Sequence, residues 1–158
     1  MEENLRRAIL IARGDPMTFF TRPISGGLLA VAILLLVIAI LPMIRTRWGR
    51  VVNVSSVAAI TGNRGQVNYS AAKGALQAAS KSLALEVASR GITVNAVAPG
   101  IIATGMADGA FDAATIRTLV PMQRAGKPEE VADLVGFLVS DQAAYISGQV
   151  ISINGALI

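Results

Sequence analysis

Gly49-Arg50-Val51-Val52-Asn53-Val54-Ser55-Ser56, followed after a short connection by Asn68-Tyr69-Ser70-Ala71-Ala72-Lys73, decides how the rest of the chain is read. The first stretch is rich in valine and lacks a polar alternation, as suits a strand buried on both faces of a parallel sheet; we expect it over Arg50 to Ser55. The second opens an alanine-rich run, Asn68 to Ser89, that reads as a long helix stopped at Arg90-Gly91. Tyr69 and Lys73 stand four positions apart, so on that helix both side chains leave from one face. Ser56 falls just past the strand's C-terminal end, where open α/β sheets hold their ligands. A phenol ionises near pH ~10, and a neighbouring ammonium favours its phenolate form. Such a pair can exchange a proton with a carbonyl or alcohol oxygen while a serine hydroxyl holds that oxygen in place. Ser56, Tyr69 and Lys73 are therefore the candidate catalytic residues.

The remaining elements follow the same logic. Thr93 to Ala98 reads as a second strand broken by Pro99-Gly100, and Gln149 to Ile153 as a third, closed by the turn Asn154-Gly155. Pro128-Glu129-Glu130 opens a helix running to about Ser140, because proline suits a first helical turn and acids suit the positive end of the dipole. Ala58 to Val67 is expected to be a loop. Ser55, Asn95 and Asn154 read as residues that satisfy the backbone, Arg64 as a solvated loop charge, and Lys81 and Glu86 as a solvated helix face.

In this order and spacing the blocks resemble the short-chain dehydrogenase/reductase family, and within it the 3-oxoacyl-acyl-carrier-protein reductases. The resemblance runs from about Gly49 to Ile158 and includes Gly91-Ile92-Thr93-Val94-Asn95-Ala96-Val97-Ala98-Pro99-Gly100 and Gly148-Gln149-Val150-Ile151-Ser152-Ile153-Asn154-Gly155. A lone Tyr-x-x-x-Lys is a weak signal; its company makes this one specific. The resemblance implies reduction of a 3-oxoacyl thioester with an NADP or NAD cofactor, as in fatty acid synthesis. It implies that Tyr69 protonates the oxyanion, that Ser56 hydrogen-bonds the carbonyl and that Lys73 binds the nicotinamide ribose. It adds Pro99, Gly100, Ile102 and Thr104 as cofactor contacts beside Tyr69 and Lys73. From the residues alone, Thr104 reads instead as an N-cap for the segment that follows. Ile101 to Val120 would be the mobile region over the substrate. The implied partners are an acyl thioester and either a second copy of the chain or a complementing subunit.

The first part of the chain does not fit that pattern. Relatives of this kind open with a strand, a glycine-rich turn and a helix that together hold a pyrophosphate. Here Ser25-Gly26-Gly27 is the glycine cluster before Arg50, and it opens an apolar run. Ile24 to Ile44 contains no charged residue. About 20 apolar residues rising ~1.5 Å each cross a ~30 Å hydrocarbon core. Pro42 sits near the end of the run, where one lost helical hydrogen bond is tolerable. Arg6, Arg7, Arg13 and Arg22 precede the run and Arg45, Arg47 and Arg50 follow it, so the positive-inside rule assigns no orientation. Residues 1–47, with Met1-Glu2-Glu3-Asn4-Leu5-Arg6-Arg7-Ala8, Gly14-Asp15-Pro16 and Phe20-Thr21-Arg22-Pro23-Ile24-Ser25, are similar to the C-terminal end of the large membrane subunit of tripartite tricarboxylate transporters.

The expected fold class is thus α/β: a truncated Rossmann-like half-sheet with flanking helices, preceded by an N-terminal transmembrane helix. The expected organisation is a basic segment at 1–23, the span at 24–44 and the reductase-like half at 49–158. The expected location is the membrane, with the reductase-like part on the cytoplasmic side. Without the cofactor-binding half, the reductase is expected to be inactive alone. The alternative is a transporter-derived membrane fragment, or a fused reading frame with no enzymatic role.

Composition agrees with a lipid partner rather than a nucleic acid. Hydrophobic residues make up 53% and mean hydropathy is +0.58. Residues 1–50 hold seven arginines against Glu2, Glu3 and Asp15, whereas residues 51–158 are balanced. The positive excess therefore sits beside the apolar run, where anionic headgroups would meet it. Basic and aromatic residues are not interleaved as a single-stranded nucleic-acid site requires. Cysteine and histidine are absent, which excludes disulfides, Cys or His metal ligands and a Ser-His-Asp triad.

Overall fold

The computed structural model describes residues 23–104 and 112–158; residues 1–22 and 105–111, together with the side chains of 23–25, Leu29, Ala32, Ile33 and Leu36, lie outside the described residues. Three parallel strands, β1 (Gly49–Val54), β2 (Ile92–Pro99) and β3 (Val150–Ile153), form one sheet in the order β1-β2-β3. Gly49 is in register with Ile92 and Val54 with Val97, and Ala96 to Pro99 continue against Val150 to Ile153. The helices are α1 (Pro23–Thr46), α2 (Ala58–Thr61), α3 (Val67–Val87), α4 (Ala113–Leu119) and α5 (Pro128–Val139), with 3-10 turns at Ala88–Arg90 and Asp141–Ala143. This is the expected α/β half-sheet with flanking helices.

β2 is the middle strand and is buried from Ile92 to Ala98. Its side chains alternate between two apolar clusters because a strand has period two. On one face, Ile92 and Val94 pack with Ala84 and Val87 of α3, joined by Val51, Leu83, Met43 and Ile44. On the other, Val97 packs with Leu138 of α5 and Ala143, joined by Val52, Leu134 and Ile151. Asn95 is fully buried on this strand and is satisfied: its Nδ2 donates to the Ile146 carbonyl at 2.8 Å, and its Oδ1 accepts from the Gln149 N–H at 3.1 Å. It clamps the loop that leads into β3, in line with the structural role expected of it.

The chain divides into two compact units, Met1–Pro42 and Met43–Ile158. The second begins before Gly49, and the reason is packing. Met43 and Ile44, on the last turns of α1, belong to the cluster beneath β1 and β2. Gly49 accepts the Met43 side chain where any Cβ would stand within 3 Å of it. At the other end of α3, Gly91 takes a left-handed φ of 69°, and a Cβ there would run into the Arg47 carbonyl. The Arg50 guanidinium lies 5.0 Å from the centroid of the Trp48 ring, and both side chains reach Asp141 Oδ1 at 3.3 Å. Trp48 thus anchors the sheet's N-terminal edge.

Two expectations need correction. The stretch expected to be a loop after Ser56 opens with the short helix α2; its first N–H is capped by Ser56 Oγ at 3.2 Å, a contact no local composition announced. The transmembrane helix expected at 24–44 is not found: among the described residues no helix is long and apolar enough to cross a membrane. α1 itself is a 24-residue helix containing Pro42, but several apolar side chains of its middle fall outside the described set. Several of its described apolar side chains, including Leu28, Leu34, Leu35 and Ile38, are exposed, whereas Met43 and Ile44 pack under the sheet. The basic segment expected at 1–23 lies, up to residue 22, outside the described residues.

Leu138 has no solvent exposure, whereas Leu85 is 85% exposed. Leu138→Ala should lower the unfolding free energy by roughly 2–5 kcal/mol in urea titration, and Leu85→Ala by no more than about 0.5 kcal/mol. Equal effects would contradict the placement of the core.

Candidate active site

Ser55, Ser56 and Val57 leave β1 while still attached to β2. The Ser55 N–H donates to the Val97 carbonyl at 2.7 Å and the Val57 N–H to the Pro99 carbonyl at 3.0 Å. Ser56 is therefore held at the C-terminal end of the sheet, half-buried, where the strand reading places it. Its Oγ accepts from the Ala58 N–H, which leaves its own O–H to donate elsewhere.

Tyr69 and Lys73 occupy the first turns of α3, with Tyr69 42% exposed. Lys73 reaches back to the strand: its Nζ donates to the Val54 carbonyl at 2.8 Å. The same Nζ stands 5.8 Å from the centroid of the Tyr69 ring, within cation–π range. Lys73 thus joins the helix that carries Tyr69 to the strand end that carries Ser56. A second tie lies beneath it. Ser55 Oγ donates to the Lys73 carbonyl at 3.1 Å, and Gln77 Nε2 donates to Ser55 Oγ at 3.0 Å and to the Ser56 carbonyl at 3.4 Å. Ser55 is structural, as its reading anticipates. Gln77 was not singled out from the sequence, although its position one turn beyond Lys73 on the same face is a legible signal.

The expected cofactor contacts lie along the same edge. The Pro99 carbonyl receives Val57, and the Gly100 N–H donates to the Ile153 carbonyl at 3.0 Å. Gly100 must be glycine, since a Cβ would come within 3 Å of Asn154. Ile102 forms a parallel bridge with Gly126 through the carbonyl of Ile101 and the N–H of Ala103. The backbone groups of Ile102 itself are therefore turned away from Gly126. Thr104 is exposed and borders the undescribed stretch 105–111, which holds part of the expected mobile region. The segment it would cap lies outside the described residues; the next described helix, α4, is capped by Asp112, which accepts from the Thr115 N–H at 2.6 Å. Hydrogen bonds from Thr115 hold the Asp112 carboxyl below its ordinary range.

A cavity of about 400 Å³ opens beside Ile102, lined also by Ile101, Met122, Arg124, Glu130 and Asn154. It includes none of Ser56, Tyr69 and Lys73, so it is distinct from the proton-handling centre. Arg124 grips Glu130 with both terminal nitrogens, at 2.8 and 2.6 Å, and the Lys127 N–H adds a third bond at 2.7 Å. Those bonds, Arg124 first, hold the Glu130 carboxyl at about 2.

With this geometry in view, comparison with known proteins decides the family. A family model described as enoyl-(acyl carrier protein) reductase matches residues 29–157. The chain belongs to this reductase family. The chain is 50% identical over 118 residues to the 3-oxoacyl-acyl-carrier-protein reductase FabG of Aggregatibacter actinomycetemcomitans, covering 74% of this chain and 49% of that protein. It is likewise 50% identical over 117 residues to the same-named protein of Aquifex aeolicus, covering 73% and 47%. It is 48% identical over 118 residues to Nodulation protein G of Rhizobium sp. strain N33, covering 73% and 48%. The chain spans about half the length of the curated relatives it matches. The family match begins inside α1, well before Gly49, in accord with the packing of Met43 and Ile44 against the sheet. The transporter resemblance of residues 1–47 is not shown by these comparisons.

The Glu130 contacts carry a pH signature. Its folded value near 2 lies below the ordinary 4.5, so the contribution is fully present above about pH 4.5 and is lost as pH falls toward 2. The Lys127 amide signal in NMR should follow that titration in the wild-type chain and lose it in Glu130→Gln. An unchanged titration in the variant would remove Glu130 as the cause.

Proposed function

We propose that residues 43–158 form the substrate-side half of an NADP- or NAD-dependent reductase acting on 3-oxoacyl thioesters. The observation that carries this reading is Lys73, held between the Val54 carbonyl and the Tyr69 ring beside Ser56. The names of the relatives favour the 3-oxo substrate carried on an acyl-carrier protein. Ser56 already accepts a hydrogen bond from Ala58, so its hydroxyl proton is the one left to donate to a substrate oxygen. Tyr69 is exposed enough to meet the same oxygen. The bound nicotinamide would supply hydride to the 3-oxo carbon. As charge builds on the carbonyl oxygen, Ser56 holds it and Tyr69 gives it a proton, later recovered from solvent. The Lys73 ammonium stabilises the developing tyrosinate and is placed to donate to a ribose hydroxyl. The outward backbone of Ile102, with Pro99 and Gly100 fixing the strand end and Thr104 beyond, suits the nicotinamide end of a dinucleotide.

Residues 1–158 contain no glycine-rich phosphate turn, so turnover by this chain alone is expected to be absent. Among the described residues β1 is an outer strand of the sheet, with an edge that a further strand could join. A complementing subunit carrying the phosphate-binding half, or a second copy of the chain, would use it.

One measurement checks this proposal. Co-purified with the N-terminal half of a relative, the chain should oxidise NADPH in the presence of an acetoacetyl thioester, and Tyr69→Phe should lower kcat by roughly 10²- to 10⁴-fold. Turnover indifferent to Tyr69 would sink the assignment.

A further inference from the structure

We propose that Gln77 is a positioning residue that sets the Ser56 hydroxyl against Tyr69 and Lys73; the inference rests on the reductase reading above. Ser56 stands on a loop, whereas Tyr69 and Lys73 stand on a helix, so the reactive geometry depends on how loop and helix are joined. Gln77 joins them directly. It lies one turn beyond Lys73 and two beyond Tyr69, on the face of α3 that meets the end of β1. Its carboxamide donates to Ser55 Oγ at 3.0 Å and to the Ser56 carbonyl at 3.4 Å. Ser55 cannot take over this task, because its own proton is committed to the Lys73 carbonyl at 3.1 Å. That commitment leaves the Ser55 oxygen as an acceptor and fixes the direction of the whole relay: Gln77 to Ser55, Ser55 to Lys73.

The direction makes the proposal specific. The position needs a hydrogen-bond donor of glutamine's length, since both partners on the loop accept. Leucine fills the space without donating. Glutamate has the length, but its ionised form only accepts and faces the Ser56 carbonyl oxygen; its protonated form can donate. A residue that merely filled space would tolerate either substitution at any pH. A misplacement of about 1 Å in a reacting group can cost up to 10²-fold in rate, so a small slip of the loop would be read in catalysis.

The test uses the full chain labelled with ¹³C-tyrosine and ¹⁵N. Tyr145, fully exposed, serves as the internal reference for Tyr69. In Gln77→Leu the Tyr69 ring and Ser56 amide signals should move while Tyr145 stays. In Gln77→Glu they should move above the carboxyl's titration and return toward wild type below it. Where the complemented chain turns over, Gln77→Leu should lower kcat roughly 10- to 100-fold with KM unchanged, and Gln77→Glu should recover at acid pH. Unmoved Tyr69 and Ser56 signals, or a Gln77→Glu profile that does not depend on pH, would overturn the proposal. If the signals move as expected but the wild-type complemented chain has no turnover, the positioning role stands and the reductase reading fails.

Discussion

The joining of the C-terminal end of β1 to the first turns of α3 is the constraint on which the rest of this structure depends. Without it, Ser56 would sit on one element and Tyr69 and Lys73 on another, with no fixed relation. Four polar contacts make the join: Lys73 to the Val54 carbonyl, Ser55 to the Lys73 carbonyl, and Gln77 to Ser55 Oγ and to the Ser56 carbonyl. Each is modest alone, since a hydrogen bond contributes about 1 kcal/mol net. Together they are directional, which the apolar packing beneath them is not. Hydrophobic burial brings α3 onto the sheet; the polar relay sets where along the sheet its functional face stops.

The middle strand explains why such a small sheet can hold the site. β2 is buried from Ile92 to Ala98 and feeds both apolar clusters. Its end presents the carbonyls of Val97 and Pro99 to Ser55 and Val57, so the turn bearing Ser56 is an extension of the ladder. β3 does the same for Gly100 through the Ile153 carbonyl. The functional edge is therefore built from backbone, with side chains chosen so that backbone can come close: glycine at Gly100, where Asn154 leaves no room, and asparagine at Asn95, which ties the approach to β3.

α1 changes the way the two parts of the chain are divided. Its apolar run reads as a separate piece, yet Met43 and Ile44 pack under the sheet and Gly49 is shaped around Met43. The family match, which begins at residue 29, agrees with that continuity. A composition boundary and a packing boundary need not coincide, because a helix can leave one environment and enter another within a turn.

Much of the fold was legible in the residues. The valine-rich strand before Ser56, the alanine-rich helix closed by Arg90-Gly91, and the Pro128-Glu129-Glu130 helix start all follow from local preferences, and the structure places them within a few residues. The Tyr69 and Lys73 pair was legible for the same reason, since helical spacing alone puts both on one face. Other features were decided only by tertiary structure. The first N–H of α2 meets Ser56 Oγ, Asp112 caps α4, and Gln77 bonds to a strand end far away in sequence. Sequence by itself determined which elements form and which faces they bury, because periodicity and capping act over a few residues. Only the folded chain decided which polar groups meet across elements, because a hydrogen bond between a helix and a strand end requires a register that local preference does not contain.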